Sequence, residues 1–152
     1  MVEVGQQVPE FSLPAVGGEE IKLGDYRGKK LVIYFYPKDM TPGCTQQACD
    51  FRDSESYFTT KNAAVIGISA DDVASHEKFG AKYDLPFLLL SDVDHQVSEL
   101  FGVWQLKKNF GKEYEGIVRS TFLIDEEGKL IREWRKVKVE GHVDEVLQAI
   151  EN

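Results

Sequence analysis

The sequence predicts an α/β fold with a mixed central sheet, helices on both of its faces and an N-terminal β-hairpin. Short apolar runs typical of strands alternate with segments of helical periodicity, an order that produces parallel strands joined by helices. Two further runs, separated by a short turn rich in polar residues, follow near the C-terminus and add antiparallel strands. The length of 152 residues suits one domain, so we expect residues 1–152 to form a single domain.

The elements of the first half are marked by turn residues, apolar runs and helix caps. Paired glycines between two short runs are typical of a hairpin, and an unbroken apolar run is typical of a strand covered on both faces. Helices start where Thr or Asp precedes a segment of helical periodicity. The predicted elements are hairpin strands 11–13 and 21–23, strand 31–36, helix 41–58, strand 64–69, and a helix from Asp71 or Asp72 through Tyr83.

The second half of the chain completes the sheet. A loop is expected over residues 102–116, with aromatic residues among lysines. The order of hairpin, three βα units, hairpin and helix is that of the thioredoxin-like fold. The predicted elements are strand 87–90, helix 94–101, strands 120–125 and 130–134, and a terminal helix from about His142 to Ile150.

Composition excludes several classes of function. The net charge of −8 and the pI near 4.9 argue against nucleic acid or an anionic membrane as a partner. The densest basic run, residues 132–138, alternates with apolar residues and is typical of an edge strand. No apolar stretch approaches the length of a membrane span, and the N-terminus has no basic and apolar leader. We therefore expect a cytoplasmic protein, where two cysteines are more often catalytic, redox-sensing or buried than a permanent cross-link.

Cys44 occupies the most informative position in the sequence. It follows the predicted strand 31–36 and a tight turn, with Thr41 as the helix N-cap and Pro42 in the first helical position. Unpaired amide groups and the helix dipole favour negative charge there, so a thiolate would be stabilised. Sites in open α/β sheets form at the carboxyl ends of strands, where Arg119, at the start of strand 120–125, is expected to lie beside Cys44.

The residues around Cys44 match a known signature. Pro37, Thr41 and Cys44 fit the P-x-x-x-T-x-x-C pattern of the peroxiredoxins. The wider run around it, the second cysteine five residues later and the block RSTFLID over residues 119–125 resemble the bacterioferritin comigratory, or peroxiredoxin Q, branch. The similarity covers essentially the whole chain. Met40 stands where a more polar residue is expected, a difference that bears on local packing.

The resemblance implies a peroxidase that uses two cysteines of one chain and no metal, flavin or haem. Cys44 would attack hydrogen peroxide or an organic hydroperoxide and become a sulfenic acid, and Cys49 would resolve it to a disulfide. Thioredoxin or a glutaredoxin-like reductant would reopen the disulfide. Thr41 and Arg119 would orient and polarise the peroxide, and Pro37 would shield the pocket from water. A monomer suffices, because no second chain is needed for resolution.

The spacing of the two cysteines predicts that a disulfide between them requires a change in conformation. Residues five apart on a regular helix differ by about 7.5 Å in rise and about 140° in direction, which separates their α-carbons by about 8–9 Å. A disulfide requires roughly 4.4–6.8 Å. We therefore expect the helix to unwind when Cys44 and Cys49 bond, and Gly43 to ease the opening of its first turn.

Several alternatives remain open on the sequence alone. Cys49 is equally consistent with a small buried residue on an amphipathic helix, which would leave a one-cysteine peroxidase resolved by an external thiol. A Cys44–Cys49 switch could also serve a redox sensor, and an inert Cys44 a thioredoxin-like binding module. Arg119 could be a surface ion-pair partner among the acidic residues.

The histidines and the segment 102–116 have less specific interpretations. His76, His95 and His142 are far apart and lack metal-ligand spacing, so no metal site is expected. His142, at the start of the terminal helix, is expected to be solvated. The loop 102–116 either flanks the site or receives the reductant, or it simply packs its aromatic residues on the domain.

Overall fold

A five-stranded mixed sheet forms the centre of the computed structural model, which describes residues 1–151. Two short 3₁₀ turns, Val16–Gly18 and Leu23–Tyr26, flank the second strand. The strands are β1 (Ser12–Pro14), β2 (Glu20–Lys22), β3 (Lys30–Phe35), β4 (Ala63–Ser69), β5 (Leu88–Ser91), β6 (Trp104–Asn109), β7 (Lys112–Ile117), β8 (Ser120–Ile124) and β9 (Leu130–Arg135). The helices are α1 (Pro42–Asp53), α2 (Glu55–Thr60), α3 (Val73–Lys82), α4 (Gln96–Leu100) and α5 (His142–Glu151).

The strand order β5-β4-β3-β8-β9 places β3 at the middle of the sheet. β3 runs parallel to β4 and antiparallel to β8, with Phe35 opposite Ser120. The carboxyl end of β3 therefore lies beside the start of β8. This register brings the segment that enters α1 and the residue that precedes β8, Arg119, to the same edge of the sheet.

Two hydrophobic clusters pack on the two faces of the sheet, as the unbroken apolar run of β3 predicts. Leu31, Ile33 and Phe35 face the N-terminal hairpin and the α4 region. The alternate residues of the run, with Tyr34 as an example, face α1, α2, α3 and α5. The predicted α/β architecture with helices on both faces and an N-terminal hairpin is confirmed.

The prediction of one helix over residues 41–58 is wrong, because the helix is interrupted at Ser54. Ser54 has φ −104° and ψ 4°, and its amide bonds back to Phe51 and Arg52 instead of continuing the α-helical pattern. The break redirects α2 so that the buried Phe58 packs against Phe51, with ring centroids 5.9 Å apart. Tertiary packing therefore ends a helix that local periodicity would extend.

The expected loop 102–116 is instead an antiparallel hairpin of β6 and β7. Phe110 (φ 52°) and Gly111 (φ 77°) both lie in the left-handed region, as a tight two-residue turn requires. Phe110 is 96% exposed, so the aromatic residue at the tip does not pack on the domain.

His142 is buried, in contrast to the expectation that it is solvated. Its Nε2 lies 2.8 Å from the Thr121 hydroxyl, and its ring meets the edge of Trp134 at a centroid distance of 5.7 Å. The first residue of α5 is thus turned inward against the sheet. Within residues 1–151, none of the helices has both the length and the apolar character needed to cross a membrane.

Candidate active site

The start of α1 has the geometry expected from its cap residues. Thr41 is extended (φ −76°, ψ 152°), Pro42 opens the helix, and Cys44 is the third helical residue. The Thr41 side chain makes no capping bond, because its hydroxyl donates to the Lys38 carbonyl at 2.8 Å. The Thr41 hydroxyl oxygen can therefore still accept a hydrogen bond.

Cys44 is 1% exposed and lies in the apolar cluster beneath α1. The Nη2 atom of Arg119 is 3.4 Å from its sulfur, a distance at which the guanidinium donates to sulfur. The other terminal nitrogen, Nη1, donates to Gln47 Oε1 at 2.6 Å. The guanidinium is thus fixed at two points, one on the thiol and one on the helix that carries the thiol.

Gln47 is a site residue that was not predicted from the sequence. Its side chain is fully buried, and it lies one helical turn after Cys44 on the same face of α1. A glutamine within an otherwise apolar helix face is the signal that could have identified it.

Gly43 permits the close approach of the guanidinium. A Cβ at this position would lie 3.2 Å from Arg119 Nη2, tighter than ordinary van der Waals contact. A side chain at position 43 would therefore crowd Arg119 in the folded site. This steric role of Gly43 adds to the expectation that it eases the opening of the first helical turn.

The β6–β7 hairpin flanks the site. Lys107 donates from Nζ to the Ile117 carbonyl at 2.9 Å. Its pKa lies below the usual value, chiefly because of partial burial and secondarily because of the positive charge of Arg119, while Cys44 acts in the opposite direction. The hairpin therefore brings a second basic group near the thiol.

Tyr34 forms part of the floor of the site. Burial raises its pKa well above the usual value, and the proximity of Cys44 adds to the effect, so the phenol remains neutral. Its ring stacks on Phe51 at 4.7 Å and leaves no room for a side chain at Gly67, where a Cβ would lie 2.8 Å from the ring.

Cys49 lies on the same helix as Cys44 and is half-buried, and both thiols are free. The expectation that the two cysteines share a continuous helix is confirmed. Pro37 is half-buried and lies two residues after the end of β3, close in sequence to the cap. The structure thus brings Cys44, Arg119 and the Thr41 cap to one end of the sheet, with Cys49 further along α1.

One group of metal-ligating side chains exists among residues 1–151. Potential ligand atoms of Asp39, Asp71 and His76 lie within 4.8 Å of one another. The three residues come from different elements, so their spacing in the sequence gives no sign of the cluster. Their atoms are engaged in hydrogen bonds among themselves and with neighbours, so we assign no metal to it.

Comparison with known proteins identifies the family. The AhpC/TSA family model matches residues 4–133. Peroxiredoxin Bcp of Bacillus subtilis (strain 168) is 59% identical over 151 residues, which cover 99% of this chain and 96% of that protein.

Solved structures agree with this relationship. The crystal structure of a cysteine-to-serine mutant of Xylella fastidiosa PrxQ has a TM-score of 0.94 and 37% identity, with 99% of this chain and 96% of that chain covered. The Xanthomonas campestris bacterioferritin comigratory protein, studied for alkyl peroxide reduction activity, has a TM-score of 0.88 and 44% identity, with 93% and 90% covered. The chain therefore belongs to the AhpC/TSA family, as a peroxiredoxin of the Bcp, or peroxiredoxin Q, type.

Proposed function

We propose that Cys44 is the peroxidatic cysteine and Cys49 the resolving cysteine of this peroxiredoxin. The observation that carries the proposal is the buried Cys44 sulfur held 3.4 Å from a guanidinium nitrogen of Arg119 at the start of α1. A cationic donor beside a thiol at a helix N-terminus favours both the thiolate and the negative charge that develops during attack.

In the first step, the Cys44 thiolate attacks one peroxide oxygen and the O–O bond breaks. The sulfur is oxidised to a sulfenic acid, and the second oxygen leaves as water or an alcohol after taking up a proton. Arg119 stabilises the charge on the leaving oxygen, and the Thr41 oxygen accepts a hydrogen bond from the peroxide hydroxyl. Pro37 excludes water at the mouth of the pocket.

Thiolate formation alone does not make such a reaction fast. Lowering a thiol pKa from about 8.5 to about 6 raises its thiolate fraction about thirtyfold at neutral pH. The accompanying loss of intrinsic nucleophilicity is on the order of tenfold, so the net gain is only about threefold. The main contribution must come from interactions that strengthen in the transition state, and the fixed Arg119 guanidinium is suited to supply one.

In the second step, the Cys49 thiolate attacks the sulfenic sulfur and hydroxide leaves as water. Because both cysteines lie on α1, the first turns of the helix must unwind before their sulfurs can bond. The cycle therefore alternates between a folded state that binds peroxide and an unwound state that closes the disulfide.

We propose thioredoxin or a glutaredoxin-like dithiol as the reductant, and a monomer as the working unit. The intramolecular pair supports a monomer, since each chain carries both thiols. The alkyl peroxide reduction activity of the Xanthomonas relative supports organic hydroperoxides as substrates beside hydrogen peroxide.

Steady-state turnover tests this function. The protein is incubated with thioredoxin, thioredoxin reductase and NADPH, and NADPH consumption is followed after addition of hydrogen peroxide or cumene hydroperoxide. We expect continuous turnover that is abolished in Cys44→Ser. Reversible oxidation without turnover would instead indicate a redox sensor.

The role of Cys49 is tested separately. Cys49→Ser should retain one rapid oxidation of Cys44 but lose turnover with thioredoxin. Undiminished turnover in this variant would establish a one-cysteine mechanism and would refute the assignment of Cys49.

A further inference from the structure

Asp39 lies within the loop that joins β3 to α1, between Pro37 and Thr41, yet it is only 4% exposed. Its Oδ1 accepts a hydrogen bond from the Tyr36 hydroxyl at 2.6 Å. Its Oδ2 accepts one from the Ser75 hydroxyl at 2.8 Å and lies 2.7 Å from His76 Nδ1. An active-site loop would ordinarily be solvated, so this depth of burial and the number of partners require an explanation.

The partner histidine is fully buried, and both of its ring nitrogens face acceptors. Nδ1 faces the Asp39 carboxylate, and Nε2 lies 3.0 Å from the Leu90 carbonyl. Burial alone would raise the pKa of Asp39, but hydrogen bonds from His76, Tyr36 and Ser75 outweigh it and leave that pKa below the usual value. Asp39 and His76 therefore form a buried hydrogen-bonded pair, with Nδ1 and Oδ2 2.7 Å apart.

The pair connects the loop to the opposite side of the site. His76 belongs to α3 and reaches β5 through Leu90, while the Asp39 amide donates to Asp71 at 2.8 Å. The next residue, Met40, has a φ of 68°, a conformation that costs a non-glycine residue energy and persists only when its surroundings enforce it. The contacts of Asp39 supply that constraint directly before the Thr41 cap.

We infer that Asp39 and His76 are positioning residues whose buried pair holds residues 37–41 in the peroxide-binding conformation and opposes unwinding of α1 from its first turn. The inference rests on the proposed function of Cys44 and Cys49. The pair touches no reacting atom. It acts through the Thr41 cap and the first turn of α1, and thereby sets the balance between the folded and the unwound state.

This balance decides the fate of the sulfenic acid. In the folded state the sulfenate can attack a second peroxide, whose O–O bond breaks to give a sulfinic acid on Cys44 and water or an alcohol. In the unwound state the Cys49 thiolate attacks it and hydroxide leaves, giving the disulfide. Loss of the Asp39–His76 pair should therefore favour the disulfide over the sulfinic acid.

The test compares Asp39→Asn and His76→Gln with the wild-type protein by rapid quench and intact mass after mixing with hydrogen peroxide. Misplacement of a reacting group can cost about tenfold to a hundredfold in rate, and we expect the first oxidation of Cys44 to slow within this range. The ratio of sulfinic acid to disulfide at excess peroxide should fall about tenfold, because the folded population is reduced.

Asp92→Asn is the matched control. Asp92 is also a buried carboxylate at the end of a strand, but it caps α4 by accepting from the amides of Val97 and Ser98. We expect this variant to lose stability without a change in the sulfinic-to-disulfide ratio. If Asp39→Asn fails to fold, Ser75→Ala removes only one bond to Asp39 and should shift the ratio in the same direction by a smaller factor.

An unchanged ratio in the Asp39, His76 and Ser75 variants, or the same change in Asp92→Asn, would overturn the inference. Failure of the proposed function is recognised separately, since the wild-type protein would then form no Cys44–Cys49 disulfide at all.

Discussion

We propose Arg119 as the residue on which the rate of peroxide attack depends most. It donates to the Cys44 sulfur at 3.4 Å, and in the proposed mechanism it stabilises the leaving oxygen as that oxygen acquires charge. Loss of one such donor typically costs about 10²–10³ in rate. We predict a decrease of this size in the peroxide rate constant of Arg119→Ala, with a much smaller change in alkylation by neutral iodoacetamide.

Both rates should be measured in a Cys49→Ser background so that only Cys44 reacts. Thr41→Val should show the same selectivity, with a smaller loss. Equal losses in the two reactions would mean that Arg119 acts only by stabilising the thiolate.

Gln47 helps to hold Arg119 in place. Its Oε1 accepts from Arg119 Nη1 at 2.6 Å, so Gln47→Leu leaves the guanidinium held at one point instead of two. We predict that this variant slows peroxide reduction about tenfold or more, through misplacement of the donor. Gln46→Leu is the control, because the neighbouring exposed glutamine donates to Asp50 at 2.8 Å and makes no bond to Arg119. Equal rates for the two variants would contradict the role of Gln47.

At the level of elements, α1 is the part of the fold that must change in the proposed cycle of Cys44 and Cys49. Oxidation should unwind its first turns, since two residues five apart on a helix cannot form a disulfide. We predict faster amide hydrogen exchange over residues 43–50 in the oxidised protein than in the reduced protein. Because Phe51 stacks on Tyr34 at 4.7 Å, the near-ultraviolet circular dichroism of the aromatic residues should also weaken.

Cys49→Ser treated with peroxide is the control, since it is oxidised but cannot close the disulfide. Identical exchange in the reduced and disulfide forms of the wild-type protein would mean that the bond forms without unwinding.

The elements differ in how far the sequence predicts them. Strong local signals located β3, β4 and the start of α1, where Thr41, Pro42 and a continuous apolar run each have one clear physical interpretation. The break at Ser54 depends on the packing of Phe58, which periodicity along one helix does not contain. The β6–β7 hairpin was missed because its turn uses Phe110 in a left-handed conformation, and phenylalanine is not a turn residue.

The residues of the site likewise differ in whether the sequence predicts them. Arg119 could be predicted to lie beside Cys44 because the block RSTFLID over residues 119–125 resembles the same family as the segment around Cys44, and the pairing of β3 with β8 brings the two residues together. Gln47 and His76 could not, since their roles depend on which long-range partner each side chain reaches.

At the scale of the whole molecule, His142 couples stability to pH. Burial lowers its pKa below the ordinary value of 6.5, with Arg119 contributing in the same direction and Glu145 opposing. The unfolded state therefore binds a proton before the folded state does as pH falls. The contribution of His142 to the free energy of unfolding is therefore complete above pH 6.5. It is lost as the pH decreases from 6.5 towards the lower pKa of His142 in the folded protein.

We predict that the free energy of unfolding of the wild-type protein, from urea titrations, decreases between about pH 7 and about pH 5. His142→Gln should be less stable at neutral pH, since its bond to Thr121 changes, but should show a shallower pH dependence. Parallel curves for the two proteins would contradict the assignment of this pH dependence to His142.

The central claim is that Cys44 and Cys49 form an intramolecular disulfide after attack on peroxide. The most direct test is the intact mass of the reduced protein seconds after one equivalent of hydrogen peroxide at neutral pH. We predict a loss of about 2 Da on a monomer, reversed by a thiol reductant and absent in Cys44→Ser. A persistent gain of about 16 Da would show that Cys49 does not resolve Cys44, and an unchanged mass would contradict the activation of Cys44 itself.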